Sequence, residues 1–528
     1  MKRQLFFLIS LLVCTSLFAQ YKDDEDHTDA EMFNPLQGVE YKAEVQGSLS
    51  KGKTPFWLNA NKYGLSSLEK TNGYVRGSVI RPLSEDEGRK WGLGYGLDVA
   101  VAKGYTSRLI IQQTFVEGRW LHGALSIGSK EYLMELKNNE LSSGSQTLGR
   151  NARPVPQVRL ALPEYWIVPY TKGWIRIKGH GAFGKMTDDN WQHEFTDRKT
   201  KYADNVLYHS KAGYLMIGNP ERYYPLSVEL GLEMACTFGG TSYKNAPDGL
   251  QEVKNSQGLK DFWHAIVPGG ADKVEEGTVY QNASGNQLGS WVARVNYDAD
   301  TWRLGVYLDK YFEDHSSMLQ LDYAGYGTGD EWNVKKDRRY FLYDFKDMML
   351  GAELNLKYGH AVRDIVFEYI YSKYQSGPLY HDHTQGVSDH VCGWDNFYNH
   401  YIFTGWQHWG QVIGNPLYRS PIYNETGKIE VENNRFMAFH LGISGSPLEC
   451  LDYRAMATYQ DGLGYYEQPY TKKQHNFSFL LEATYHFKNN WDVTGSYGMD
   501  FGKIRGDNTG FQLTLVKSGM LTKSKRTK

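Results

Sequence analysis

The sequence predicts an all-β chain, a transmembrane antiparallel β-barrel of 16–18 strands with long polar loops and short helices within those loops. Three observations predict it. Apolar and polar residues alternate with a period of two over segments of about ten residues, the length of a tilted membrane-crossing strand. The chain opens on a secretory leader. Its composition is polar on average yet rich in Gly and aromatics: 528 residues include 55 Gly, 39 Tyr, 14 Trp and 23 Phe. Mean hydropathy is −0.55, too polar for a bundle of membrane helices, and no stretch after the leader approaches the ~18 consecutive apolar residues that a membrane helix needs. Charge is nearly balanced, with 58 Lys+Arg against 60 Asp+Glu and a net charge of −2. That balance argues against nucleic acid as a partner.

The leader is read from Met1-Lys2-Arg3, the apolar run Leu5 to Val13 broken only by Ser10, and Leu17-Phe18-Ala19 before Gln20. This pattern predicts a signal peptide over 1–19, cleaved on export. A polar, acidic leader follows over 20–38, then the barrel over 39–517 and a basic tail over 518–528. Cys236, Cys392 and Cys450 remain after cleavage. Three is an odd number, so at most one disulfide forms and no disulfide framework supports the fold.

The strands are read from the alternation. Val39, Tyr41, Ala43, Val45 and Leu49 alternate with Glu40, Lys42, Glu44, Gln46 and Ser48. Successive side chains of a strand point to opposite faces, so one face is apolar and the other wet. The pattern returns at Trp91–Ala102, Leu226–Phe238, Met348–Lys357, Asn476–Phe487 and Trp491–Phe501. It is weaker near Leu121–Ile127, Trp302–Leu308, Ile365–Tyr371 and Leu451–Tyr459. The last strand is expected at Gly510–Val516, with the insertion signal at internal Phe511, because the chain ends in basic residues rather than an aromatic. A soluble sandwich would use strands of about five or six residues. Long strands with one apolar face call for lipid outside and a polar lumen inside, and hydrocarbon demands closure. Aromatic starts such as Trp91 and Trp491 and ends such as Phe238 and Phe501 fit interfacial girdles. Within the polar connection Gly239–Gly289, the segment Leu259–Ile266 is expected to form a short helix.

Pro55–Gly64, Trp174–Trp191, Asn286–Gly289, Tyr311–Ser316, Asp395–Leu417 and Gly510–Leu515, in that order, carry a family resemblance. On these segments the chain resembles the Wzi-type capsule assembly proteins of Gram-negative outer membranes. The resemblance implies a monomeric 18-stranded barrel integral to the outer membrane. It also implies a non-enzymatic lectin role that attaches capsular polysaccharide to the cell surface.

The richest candidate for binding is Trp394–Tyr423, whose 30 residues include nine aromatics interleaved with amides, carboxylates and His. Sugars are held by flat apolar faces against their C–H-rich ring faces and by planar amides and carboxylates on paired hydroxyls. The glycan-binding candidates are Asp395, Asn396, Tyr398, Trp406, His408, Trp409 and Asn415. The competing reading is a packed loop that plugs the lumen. His381 and His383 are weak metal candidates, because their spacing matches no standard zinc pattern, and no cofactor is expected. Arg176 and Lys178 on a wet face could hold an acidic polymer or simply pair with carboxylates across the barrel. Asp188-Asp189 near Trp191 could bind sugar or a cation, or form a solvated turn.

Glu229 and Glu233 share a face but lie ~13 Å apart along a strand, too far for the ~5–9.5 Å of a glycosidase pair. No nucleophile elbow and no His-Glu-x-x-His pair occurs. The chain is therefore expected not to be an enzyme. The expected partners are surface polysaccharide and outer-membrane lipid. A porin or substrate channel is the alternative, supported by the polar inward face, and a hydrolase is a more remote one.

Overall fold

Eighteen strands close on themselves in sequence order. The computed structural model describes residues 33–87, 89–219, 224–268, 285–313, 329–331, 334, 347–381, 389–393 and 395–522. Barrel strands are numbered in chain order. The first nine are β1 (Glu40–Lys51), β2 (Thr71–Arg81), β3 (Trp91–Lys103), β4 (Leu109–Trp120), β5 (Gly123–Ser129), β6 (Gln157–Ile167), β7 (Ile175–Lys185), β8 (Leu207–Ile217) and β9 (Leu226–Phe238). The second nine are β10 (Asn286–Asp298), β11 (Trp302–Glu313), β12 (Met348–Leu356), β13 (Asp364–Tyr371), β14 (Phe436–Leu448), β15 (Leu451–Gly464), β16 (Pro469–Phe487), β17 (Trp491–Gly502) and β18 (Asn508–Met520).

Each strand pairs antiparallel with its neighbours in sequence, and β1 pairs with β18 from Glu40↔Met520 to Lys51↔Thr509. The expected barrel is thus present at the upper end of the expected strand count. No edge is left to expose unpaired backbone to lipid. β18 runs three residues past the expected barrel end at 517, because Ser518–Met520 still pair with Glu40–Lys42.

The alternation has the predicted sense. On β1, Glu44, Gln46 and Ser48 are buried inside, whereas Val45 and Leu49 are 49% and 65% exposed outside. Val75, Leu97, Val116, Leu160, Val306, Phe367, Leu441, Leu481 and Leu513 continue this exposed apolar exterior around the wall. None of the described helices is long and apolar enough to cross a membrane.

The two ends differ. Connections of two to nine residues join β2 to β3, β4 to β5, β6 to β7, β8 to β9, β10 to β11, β12 to β13, β14 to β15 and β16 to β17. β1 begins and β18 ends at that same end. The long connections 52–70, 130–156, 186–206, 239–285, 314–347 and 372–435 all lie at the other end. Short turns at one rim and long loops at the other are the usual pattern of membrane barrels. The short-turn rim carries an aromatic girdle, with Trp91 stacked on Trp120 at 5.5 Å and Trp302 beside Tyr297 at 5.6 Å. Phe238 departs from the expected girdle: it is 2% exposed beneath a loop helix.

Cys236 is buried in β9 near the loop end, and Cys450 sits in the β14–β15 turn at the opposite end, so these two do not pair. The side chain of Cys392 lies outside the described residues.

Val306 faces lipid midway along β11, opposite Val295 and Ala352. Val306→Lys should cost about 2–4 kcal/mol of folding free energy near the membrane midplane. Reversible guanidinium unfolding in lipid vesicles measures it, and an unchanged midpoint would place β11 elsewhere than against lipid.

Candidate functional site: a plugged lumen and an aromatic rim

The lumen is not open. The connection 130–156 enters it and crosses it as a strap held by inward residues of the wall, those of β9, β10, β11, β13 and β14 among them. Lys137 Nζ pairs with Asp309 of β11 at 2.7 Å, with both side chains buried. Gln146 N donates to the same carboxylate at 3.0 Å. Ser142 Oγ and Ser143 N donate to Glu368 of β13 at 2.5 and 2.8 Å, and Tyr307 Oη of β11 donates to it at 2.6 Å. Ser145 Oγ donates to Glu233 of β9 at 3.2 Å, and Thr147 Oγ1 meets Ser290 of β10 at 2.7 Å. His440 of β14 contacts Leu141 O through Nε2 at 2.7 Å. Carboxylates taken out of water are costly unless paired and hydrogen-bonded, and the strap supplies the partners.

The connection 372–435 packs onto the strap. Trp406 Nε1 donates to Thr147 O at 2.9 Å, and Asn415 Nδ2 donates to Gly144 O at 2.9 Å. Tyr398 Oη donates to Gln146 O and accepts from Asn415 N at 2.9 Å. A hydrogen bond from Asn151 Nδ2 to Val412 O at 3.0 Å joins the same two connections, and one from Asn61 Nδ2 to Ser143 O at 3.0 Å ties in the first loop. Phe56, Trp57, Tyr311, Phe397, Tyr398, Trp406, Leu417, Tyr418 and Phe436 belong to one buried apolar cluster formed by this plug and the wall.

This placement decides among the sequence candidates. Tyr398, Trp406, His408 and Asn415 are fully buried and bonded within the plug, so the structure brings them together as its core and leaves none of them a surface for a polymer. Packing there, not presentation, is what their aromatic and amide groups do. His408 Nδ1 donates to Arg153 O at 2.7 Å, and Nε2 accepts from Thr187 N at 3.2 Å. Burial holds its pKa below the ordinary imidazole value.

Trp409 is half-buried under the Arg153 guanidinium at 4.1 Å. Burial pushes the Arg153 pKa down to about 10. Asn396 accepts from Asn434 and Asn399 at 2.7 and 2.9 Å. Asp395 is half-exposed. Asp188 is buried rather than solvated: it accepts from Gln192, Gln407 and Trp409 N at 2.9, 3.0 and 3.1 Å. His383 and the side chain of His381 lie outside the described residues. Among the described residues no cluster of three or more His, Cys, Asp or Glu is arranged to hold a metal.

Beside the plug the lumen keeps a cavity of about 380 Å³, lined among others by Lys130, Tyr132, Glu135, Arg159, His180 and Tyr214. Lys130 pairs with Glu117 at 2.7 Å, Lys178 with Glu135, and Arg119 with Glu164 at 2.6 Å. Lys178 thus pairs with a carboxylate, one of the two readings the sequence left open, and that carboxylate belongs to the strap. Arg159 instead lies 4.0 Å over the Tyr132 ring, with no carboxylate within ion-pair distance among the described residues.

Glu229 accepts from Tyr165 and Asn296 at 2.6 and 3.0 Å, and Glu233 accepts from Tyr214 at 2.8 Å. Each carboxylate thus serves its own structural network.

A separate aromatic group stands at the loop rim, where Tyr401 is exposed, Tyr243 half-buried and Tyr202 buried. Tyr401 is 67% exposed, with the Lys244 ammonium 4.6 Å over its ring. Tyr243 stacks on Tyr202 at 4.5 Å and 20°, and His193 meets the Tyr202 edge at 5.1 Å. Of this group only Tyr401 falls within Trp394–Tyr423, and it is not one of the sequence candidates. The other three come from connections more than 150 residues away in the chain, so no local pattern joins them.

No protein-family model matches the chain, and no curated protein matches it in sequence. Solved structures do match. Wzi of Escherichia coli, described as an outer-membrane protein involved in group 1 capsule assembly and a carbohydrate-binding β-barrel, aligns at TM-score 0.54 and 11% identity over 92% of this chain and 85% of its own. The chain has the fold of an outer-membrane β-barrel. OccD3 and OccK2 of Pseudomonas aeruginosa align at TM-scores of 0.42 and 0.43, with 9% and 10% identity. They cover 92% of this chain each, and 91% and 98% of their own. At these identities the likeness is one of fold.

Glu368→Ala would strip the strap of its acceptor and leave buried donors on Ser142, Ser143 and Tyr307. A loss of about 3 kcal/mol or more is expected, seen as faster proteolysis within 130–156 and as new single-channel conductance, while the barrel stays heat-modifiable on gels. Glu368→Gln should retain part of the closure.

A pH dependence follows from the plug histidines. Burial, with the Lys201 ammonium adding to it, pushes His400 down to about 3, and its Nδ1 accepts from Ile402 N and Phe403 N at 3.0 and 3.2 Å. A depressed imidazole pKa means stability that is complete above the unfolded value of ~6.5 and lost as pH falls toward the folded value. Proteolysis of 395–435 should therefore accelerate between about pH 6 and pH 4, and a flat profile would count against neutral His400 and His408.

Proposed function

We propose that this barrel binds capsular or other surface polysaccharide and helps hold the capsule on the cell, without making or breaking covalent bonds. The plug carries the reading: strap, second loop and wall share one buried core, so the barrel serves as a rigid platform rather than an open pore. The overall likeness to a carbohydrate-binding barrel supports the same reading. Binding then falls to the outer rim, where Tyr401 and Tyr243 offer ring faces, Tyr202 is buried behind Tyr243, and Lys244, His193 and Asp204 stand among them. Shallow contacts of this kind gain strength by repetition along a polymer.

A substrate channel is the second reading. The charged cavity beside Arg159 favours it, and it requires the strap to leave the lumen.

A strain lacking the gene tests the proposal. High-molecular-weight polysaccharide should shift from the cell-bound to the released fraction with its total unchanged. Tyr401→Ala combined with Tyr243→Ala should reproduce part of that shift without altering barrel folding, because Tyr401 is exposed and Tyr243 half-exposed. Trp406→Ala is a different experiment, since it removes a buried anchor worth about 3–5 kcal/mol and loosens the plug. Unchanged fractions together with measurable conductance of the wild-type barrel would favour the channel.

A further inference from the structure

Most of the wall shows an exposed apolar outward row, but one sector does not. Along β9 the outward row begins in the usual way, with Leu226 39% and Leu230 45% exposed. Nearer the loop end, Met234, Cys236 and Phe238 fall to 3%, 0% and 2%. On β8 the outward neighbours of Cys236 and Met234 are His209 and Lys211, and on β10 Gln287 lies opposite Cys236. His209 and Lys211 sit two and four residues inside the loop end of β8, roughly 7–13 Å along the strand. An imidazole, an ammonium and an amide aimed at hydrocarbon at that depth are costly.

The helix Leu259–Ile266 covers them from outside the barrel. Phe262 packs 5.2 Å from Phe183 and 5.2 Å from Phe238, and Ala265 joins Cys236 and Phe238 in one buried cluster. Lys211 Nζ donates to Ala265 O at 2.8 Å, and Gln287 Nε2 donates to His264 O at 3.1 Å. The outer surface of this sector is therefore the helix itself.

That surface is apolar. At 100° per residue, Leu259, Trp263 and Ile266 fall on one stripe, and they are 92%, 59% and 39% exposed. Val267, just beyond the helix, is 48% exposed. The wall-facing Phe262 and Ala265 flank the stripe on one side, and Lys260, His264 and Asp261 occupy the rest of the circumference.

We propose that this helix is an interfacial membrane element, seated at the boundary between acyl chains and headgroups of the outer leaflet. Leu259, Trp263, Ile266 and Val267 contact lipid, and Lys260 and His264 turn toward water. An amphipathic helix with Trp on its apolar face is suited to that boundary. Two observations select lipid as the occupant. The stripe continues the lipid-facing belt above Leu230, and the polar wall residues beneath the helix are shielded just where hydrocarbon would otherwise meet them. The barrel thus carries its membrane contact beyond the strands on one side, fixing how deep the loop rim sits.

Photolabelling tests this. Single copies of the full-length barrel in nanodiscs of dimyristoylphosphatidylcholine, doped with a phosphatidylcholine bearing an acyl-chain diazirine, are irradiated and mapped by mass spectrometry. Adducts on the 259–267 peptide should reach at least half the yield on the belt peptide around Leu441, with none at Tyr401. Trp263→Lys with Ile266→Lys should cut the 259–267 yield at least fivefold and leave the belt labelling unchanged. Labelled belt strands beside an unlabelled 259–267 peptide in the wild type would overturn the proposal, and that comparison needs no variant to fold.

Discussion

Hydrocarbon offers no partner to a backbone N–H or C=O, so a sheet that meets lipid must satisfy every such group within itself. In this chain that demand is met by the ladder between Glu40–Lys51 and Asn508–Met520, segments that lie at opposite ends of the described sequence. Everything else presupposes it. The apolar exterior is tolerable only on a closed wall, and only a closed wall has an interior to fill.

The interior is filled by treating buried charge as a fastening. Asp309, Glu368 and Glu233 would be destabilising in an empty dry lumen and merely solvated in a wet one. Here they hold the strap at Lys137, Ser142, Ser143, Ser145 and Gln146. Once the strap is fixed, its carbonyls at Gly144, Gln146 and Thr147 become the acceptors that seat Asn415, Tyr398 and Trp406. The plug is thus built in two layers, each using polar groups left by the one before. Its core is buried like that of a soluble domain, although it lies inside a barrel.

This two-layer plug also explains which strands are hard to read. β1, β3 and β17 alternate cleanly, because lipid on one side and polar lumen on the other impose opposite chemistries, whereas β16 breaks the pattern at inward Leu480. β14 does not alternate, since its inward Phe436 and Ala438 pack on the plug and are as apolar as its outward face. β10 has the same character through Leu288 and Val292, buried on the lumen side. β8 is inverted in part: His209 and Lys211 face outward under a covering helix while Tyr208 and Tyr214 face in. The dyad rule assumes lipid on one side and water on the other, and it weakens wherever folded chain replaces either. The same replacement moved the candidate site. Trp394–Tyr423 has a composition suited to sugars, but composition does not say whether an aromatic is presented or packed.

By itself the sequence determined the class of the fold, the sense of the alternation, the helix at Leu259–Ile266 and the expectation of an exported, lipid-facing barrel. These follow from short-range periodicity and from what lipid excludes, so they can be read a segment at a time. Only the tertiary structure decided that the lumen is plugged, that Trp406, Tyr398, His408 and Asn415 form the plug core, and that Tyr401, Tyr202 and Tyr243 share the rim. Those facts depend on contacts between residues as far as 299 positions apart, whose meeting is set by barrel closure and strand register rather than by any local pattern. Presented and packed aromatics have the same composition and differ only in what the rest of the chain brings against them.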